Sequence, residues 1–545
     1  MGDTKWVDPV APADAAARRR KRRKRKTRPR CQPKRRPRAR ADSLYAVDSK
    51  RRRRKAKRRV CQKKRRKPVR RVPLQPVPPP PAPPSGGGAA PEFRLSSPVA
   101  TWSGAFGVRE AERLLWRAGF GPSPGHAQAL AGMGLHRAVA ALTRPEGGQT
   151  FTGAAPTDGD GNPLAPEDAW GHDHLWFLDR MVRTDQPLVE RMTLIWHDWF
   201  ATSNDGVGQQ NLMLAQNELF RRHWLGSFDQ LVHDVTADPA MIVWLNLDQN
   251  TRWNPNENYA RELMELFTLG ADRGAYTETD VRELARALTG WDNDWSGELG
   301  YHNFRFVQNR HDASAKTVFG QTGAFGWEQA AAMCVRHPLH ASFFVEKLWS
   351  YFIPVPPPDG DRAALEQLYV QSGWQVRPVV EAILLHPLLH EGPRMVKPPV
   401  VFLAGMLRAL RRAIDTEAWT WLCEGAGQVL FHPPDVSGWD DSRWLDTSTV
   451  RGRWELVGYA LAGRELEDEA ITGYDISETP ETALALARAA WGDPQLTGET
   501  AAVLTAFAEA CVAGPLATWQ RRQYRGLRQN ALRHLLYFSP DLQAS

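Results

Sequence analysis

Residues 1–72 hold 33 lysines and arginines against 5 aspartates, with almost no large apolar side chain. That feature decides where a chain like this can begin to fold. Ordering a residue costs about 1–2 kcal/mol of backbone entropy, and a segment with nothing to bury cannot offset it. The segment is expected to be a disordered basic tail. It contains an internal repeat, RPRCQPKRRPR around Cys31 and RRVCQKKRRKP around Cys61, split by ADSLYAVDSK. Residues 73–91 follow as a Pro/Gly-rich linker with nine prolines and a glycine run. Polyproline rises about 3.1 Å per residue, so this is a semi-rigid spacer with a flexible end. The folded body is expected over residues 92–545.

The overall charge of +10 hides two opposed parts. The tail alone carries +28, which leaves −18 on the remainder. A cationic arm of this density binds nucleic acid, acidic glycan or anionic lipid by counterion release, without reading sequence. Only Trp6 and Tyr45 interrupt it, so it lacks the interleaved aromatics of a base-reading surface. The other reading is a solubilising tail that docks on its own acidic body. No run of 18 apolar residues marks a transmembrane segment. The arginine-rich N-terminus also lacks the apolar core of about 7–15 residues that a secretory signal needs. The five cysteines are scattered (Cys31, Cys61, Cys334, Cys423 and Cys511), which excludes a zinc finger and leaves disulfide status open.

The body reads as mainly α, one large multi-helix domain. LVERMTLIWHDWFATS puts Leu188, Met192, Ile195, Trp196 and Trp199 on one face. TETDVRELARALTGW starts on Thr277 with Asp280 three residues on, continues with the stripe Val281, Leu284, Ala285 and Leu288, and stops at Gly290. Only YHNFRFVQNRHDASAKTVFG alternates with period two, which predicts one small β-hairpin. The 22 tryptophans are expected mostly to fill gaps between helices.

The densest polar stretch is NPNENYARELMELFTLG, residues 254–270. Asn254, Pro255 and Glu257 predict a capped helix start. Tyr259, Leu263, Leu266 and Phe267 form its apolar face, Glu257, Arg261 and Glu265 an i,i+4 ladder, and Gly270 its end. Glu262 is left over at the border of the apolar face. A carboxylate there is either half-buried with a dedicated partner or functional.

Other polar residues also lack an obvious structural duty. Glu262, His311 and Asp312 make the candidate catalytic set. His197, Asp198, Asn258, Arg261, Lys316, Asp435 and Trp439 make the candidate binding set. Histidine and carboxylates from separate segments could assemble a hydrolytic site or hold a divalent metal, and a His–Asp neighbour pair could supply a base with its orienter. Each has a structural alternative. His311-Asp312 reads as a turn, His197 lies opposite its apolar stripe and would be solvated, and HPPDVSGW reads as a rigid loop ending in a buried Trp439. No HExxH, GxSxG or phosphate-binding glycine loop occurs.

NENYARELMELFTLG with YTETDVRELARALTGW resembles the signature of the bacterial family catalogued as domain of unknown function 1800. LLWRAGFGPSP, IWHDWFATS, HDASAKTVFG, VKPPVVFLAGMLRAL and GQVLFHPPDVSGWDDSRWLDTST follow in that family's order. The resemblance implies a protein without established activity, exported or envelope-associated, often encoded beside sulfatase-like proteins. The chain departs from the family pattern at Trp199, where a second histidine is usual, at Val401 in place of a glutamate, and at Ser314 near a usual glycine. Two functions stay open: a hydrolase-like or metal-assisted enzyme with a sulfatase-like partner, and a non-catalytic binding protein tethered to a polyanion by its tail.

Overall fold

The computed structural model describes residues 93–464 and 478–545. The basic tail, with Cys31 and Cys61, and the whole of the linker lie outside the described residues. Among the described residues the body is helical, with 23 α-helices and two small two-stranded antiparallel sheets. Trp291–Ser296 pairs with Gly300–Phe306, and Lys316–Val318 with Gln321–Gly323. The single hairpin expected over 301–320 is thus two. Its first strand pairs backward with WDNDWS, a segment whose polar alternation gave no strand signal.

Two hydrophobic clusters form the core. The first is built by helices from Val108–Arg117 through Val376–Leu385. The second joins His172–Arg183 to Pro399–Leu410, Ala418–Gly425, Thr447–Leu461 and the C-terminal helices. Pro187–Trp199 lies between them: Leu188, Met192 and Ile195 pack into the first, and Leu194 into the second. This corrects the solvated reading of His197. A helix covered on both sides has no wet face, and His197 is 1 % exposed.

Local signals hold where local forces decide. Thr277 and Asp280 cap each other's backbone N–H groups, and Val281, Leu284, Ala285 and Leu288 are all buried. The start at Asn254 is displaced: the helix begins at Asn258. Asn250 Oδ1 accepts the Asn256 N–H at 2.9 Å, and Asn258 Nδ2 donates to Asn246 Oδ1 at 3.0 Å, so the preceding asparagines build a loop. Leu263–Thr268 then winds as a π-helical turn. The wider turn breaks the predicted ladder. Arg261 keeps Glu257 at 3.1 Å but reaches Glu278, at 2.7 Å, in place of Glu265. Gly270 follows the turn at φ +85°.

The π turn leaves carbonyls that side chains satisfy. Lys347 Nζ donates to Leu266 O at 2.9 Å, Trp199 Nε1 to Phe267 O at 3.0 Å, and His340 Nδ1 meets Thr268 O at 2.7 Å. Cys334, Cys423 and Cys511 are free. No described helix is long and apolar enough to cross a membrane.

Candidate functional site

The residues singled out by sequence fall into three places. His311, Asp312 and Lys316 share one. His311 Nδ1 bonds Thr289 O at 2.8 Å, Asp312 Oδ2 takes Arg286 Nε at 2.8 Å, and Lys316 Nζ donates to Phe325 O at 2.8 Å and to the Asp312 carbonyl. Burial would raise the Asp312 pKa, but the hydrogen bonds from Ser314 and Arg286 outweigh it and hold the carboxyl down at about 2. Asp312 fastens the turn to Arg286 of helix Glu278–Ala287, while His311 and Lys316 bond main-chain carbonyls around it.

Asn258, Arg261 and Glu262 share the second place. Glu262 is half-exposed and makes no hydrogen bond to His311, Asp312 or His197. Burial first, then the Glu265 charge, raises its carboxyl pKa. Among the described residues, no three His, Cys, Asp or Glu side chains gather to hold a metal ion. The residues do not fit the divalent site considered from sequence.

His197, Asp198 and Trp439 meet in the third place. His197 Nε2 accepts the Phe431 N–H at 2.9 Å, and its ring stands 5.3 Å from that of Trp439. Asp198 Oδ1 accepts the Trp439 N–H at 3.0 Å, and Oδ2 accepts the Tyr351 hydroxyl at 2.7 Å. Gly438, at φ +94°, sits on that carboxylate, and a Cβ there would collide with it. A second histidine, His174, does the same work one residue upstream, accepting the Leu430 N–H at 3.0 Å. Burial depresses both imidazoles to about 3, so they stay neutral acceptors. Burial also raises Asp198, against its hydrogen bonds from Tyr351 and Trp439. Phe431 is held at φ 67°, a strained setting that these contacts over-determine.

The fastened segment floors a cleft of about 540 Å³. Trp170, Trp439 and Trp444 line it, and Trp170 stands 66 % exposed. Gln210 Nε2 bonds Ala169 O at 2.8 Å, and Thr420 Oγ1 bonds Gly171 O at 3.3 Å, which fixes the turn carrying Trp170. Two carboxylates on the walls are not used up by capping. Asp205 meets His432 at 2.9 Å, and Glu424 has no side-chain partner among the described residues. Asp440 and Asp446, by contrast, cap backbone N–H groups. Trp439 is half-buried, which corrects the expectation of a core tryptophan: one edge of its indole faces the cleft. Asp435 is exposed and binds its own turn through Ser437.

Sequence reasoning missed Trp170, His174, Asp205 and Glu424. A usable signal existed for Trp170, which precedes Gly171 and belongs to no apolar stripe. Among the described residues six tryptophans are exposed outright (Trp170, Trp253, Trp295, Trp421, Trp454 and Trp519), more than a gap-filling role explains.

No curated protein and no solved structure matches the chain. The profile of one family matches residues 113–544, a span that includes every residue placed above. That stretch is most of the sequence, and the chain belongs to the family described as protein of unknown function (DUF1800).

Proposed function

We propose that the protein is a glycan-binding protein whose body holds a hydroxyl-rich saccharide in the tryptophan-lined cleft. Its basic arm, residues 1–72, tethers it to a polyanion. The observation that carries this reading is the exposed Trp170, which lines the same cleft as Glu424, a carboxylate without a side-chain partner among the described residues. A sugar offers an apolar C–H face to an indole and hydroxyl donors to a carboxylate, so this pairing of groups suits it. The four carboxylates of the lining (Asp205, Glu424, Asp440 and Asp446) outnumber Arg443 and His432, which favours a neutral stretch of polymer over a charged one.

Anionic segments of the same polymer, or an acidic surface beside it, suit the +28 arm. A sulfatase-like partner, implied by the family resemblance, would meet its substrate held in place here. Glu262, His311 and Asp312 take no part, because their polar atoms do not converge and two of them serve a turn.

The test is retardation of the full chain in native gels cast with neutral polysaccharides. Trp170→Ala should abolish retardation that the wild type shows, a loss of at least about tenfold in affinity. Trp519→Ala, equally exposed but outside the cleft, should leave it unchanged. Equal retardation of both variants, or none of the wild type on any polysaccharide, would end the reading.

A further inference from the structure

A second cleft, of about 640 Å³, lies elsewhere, between the turn after Gly121 and the end of helix Pro399–Leu410. Its charged and titratable lining is His126, Arg183, Asp185, Arg408, Arg411 and Arg412. Two of the arginines are already engaged. Arg183 forms a two-pronged pair with Asp179 at 2.7 Å, and Arg412 pairs with Asp415 at 3.2 Å while lying over Trp419. Asp185 is occupied by Thr150.

The others are not. Arg408 is 5 % exposed. Its Nη1 binds the carbonyls of Met181, Val182 and Thr184 at 3.0–3.2 Å, Nε has no partner, and no carboxylate neutralises it. A buried guanidinium without a counter-ion is costly unless something supplies the charge. Arg411 projects from the same wall with no side-chain partner among the described residues, and it occupies φ +50°, a cap position that favours glycine. The His126 ring faces the cleft without a hydrogen bond. Burial, then the Arg408 charge, depresses its pKa to about 4.

We infer that this cleft is a binding site for a phosphate or sulfate monoester, held by Arg408 and Arg411 with His126 as a third polar contact. Planar guanidinium groups match the oxygens of a tetrahedral anion in pairs, and an anion here completes the missing counter-charge of Arg408. The cleft is several times larger than the anion itself, so the ester's organic part has room.

The experiment is calorimetric titration of the full chain with inorganic phosphate, inorganic sulfate and methyl phosphate, at roughly 150 mM chloride to damp the arm. One anion should bind per chain, with a Kd on the order of 1 mM or tighter. Arg411→Gln should weaken it at least about tenfold, with an unchanged melting midpoint in chloride, because the exposed Arg411 side chain makes no hydrogen bond or ion pair among the described residues. Arg408→Lys should weaken binding too, but the loss of its carbonyl bonds makes it the less clean variant. Flotation with phosphatidylcholine vesicles containing phosphatidic acid assigns the source. A deficit of Arg411→Gln there marks a lipid headgroup, and a deficit on methyl phosphate alone marks a free monoester. Equal affinity of wild type and Arg411→Gln in every arm, or no saturable binding, would overturn the site.

Discussion

Two His–Asp neighbour pairs, His197-Asp198 and His311-Asp312, carry the same dipeptide and the same general task in opposite surroundings. Each histidine bonds a main-chain group, and each aspartate ties a loop to a helix. The first pair lies between the two hydrophobic clusters, with His197 in an aromatic cage and Asp198 raised by burial. The second lies at a surface turn, where Arg286 and Ser314 lower Asp312 to about 2. Chemically equal residues thus have opposite electrostatics because one pair bonds neutral donors in a dry setting and the other an arginine near water. The first pair fastens the segment that lines the tryptophan cleft. A His–Asp dipeptide alone is a fastening, and function depends on what it fastens.

The sharpest way to break this comparison is to remove both aspartates separately. Asp198→Ala leaves the Tyr351 hydroxyl and the Trp439 N–H without their acceptor, and Lys347 without its nearby anion. It should cost about 3–5 kcal/mol in denaturant unfolding. Asp312→Ala, at a partly exposed turn, should cost about 1–2 kcal/mol, with a part removed by salt. Asp198→Asn keeps an acceptor for Trp439 and gains a donor for Tyr351, so it should recover most of the loss. Equal costs for the two alanine variants would mean that burial does not separate the pairs.

How much of this was legible follows from the range of each interaction. The cap at Thr277 and the stripe from Val281 to Leu288 are decided within one helix, and both stand as read. The roles of His174 and His197 are decided by backbone N–H groups more than 200 residues away, at Leu430 and Phe431. No local pattern carries that distance. His197 looked solvated because a helical wheel assumes one wet face, and this helix has none. The Asn254 start failed for a similar reason, since Asn246 and Asn250 hold the asparagine run as a loop. The π turn at Leu263–Thr268 escaped because its released carbonyls are answered by Lys347, Trp199 and His340 from other helices.

Acidification sharpens the same comparison. His174 and His197 have folded pKa values near 3, below the usual value of about 6.5. Between those limits the unfolded chain binds more protons, so their contribution is full above about pH 6.5 and is lost as pH falls toward 3. Asp198, raised by burial, acts in the opposite sense but is one group against two. Asp312 loses its contribution only as pH falls from about 4 through about 2. The cleft floor should therefore loosen first. Hydrogen exchange at pH 5 against pH 7, normalised for intrinsic rate, should show protection lost at the Phe431 and Trp439 amides while the Asp312 amide keeps its own. Earlier loss at Asp312 would reverse the order.

Glu262 should give the smallest effect, and it asks whether a polar residue outside both pairs does anything comparable. Its carboxylate is partly buried, accepts no hydrogen bond among the described residues, and is raised by burial and by Glu265. A raised carboxyl contributes stability at low pH that is lost as pH rises through its folded value. Glu262→Gln removes the charge at nearly constant shape. It should leave stability unchanged near pH 4 and raise it by at most a few tenths of a kcal/mol near pH 8, after solvent screening. Parallel denaturant curves at the two pH values measure this directly. A loss of about 2 kcal/mol or more at either pH would mean that Glu262 holds a partner as firmly as Asp198 holds Tyr351, and the contrast between fastened and idle carboxylates would fail there.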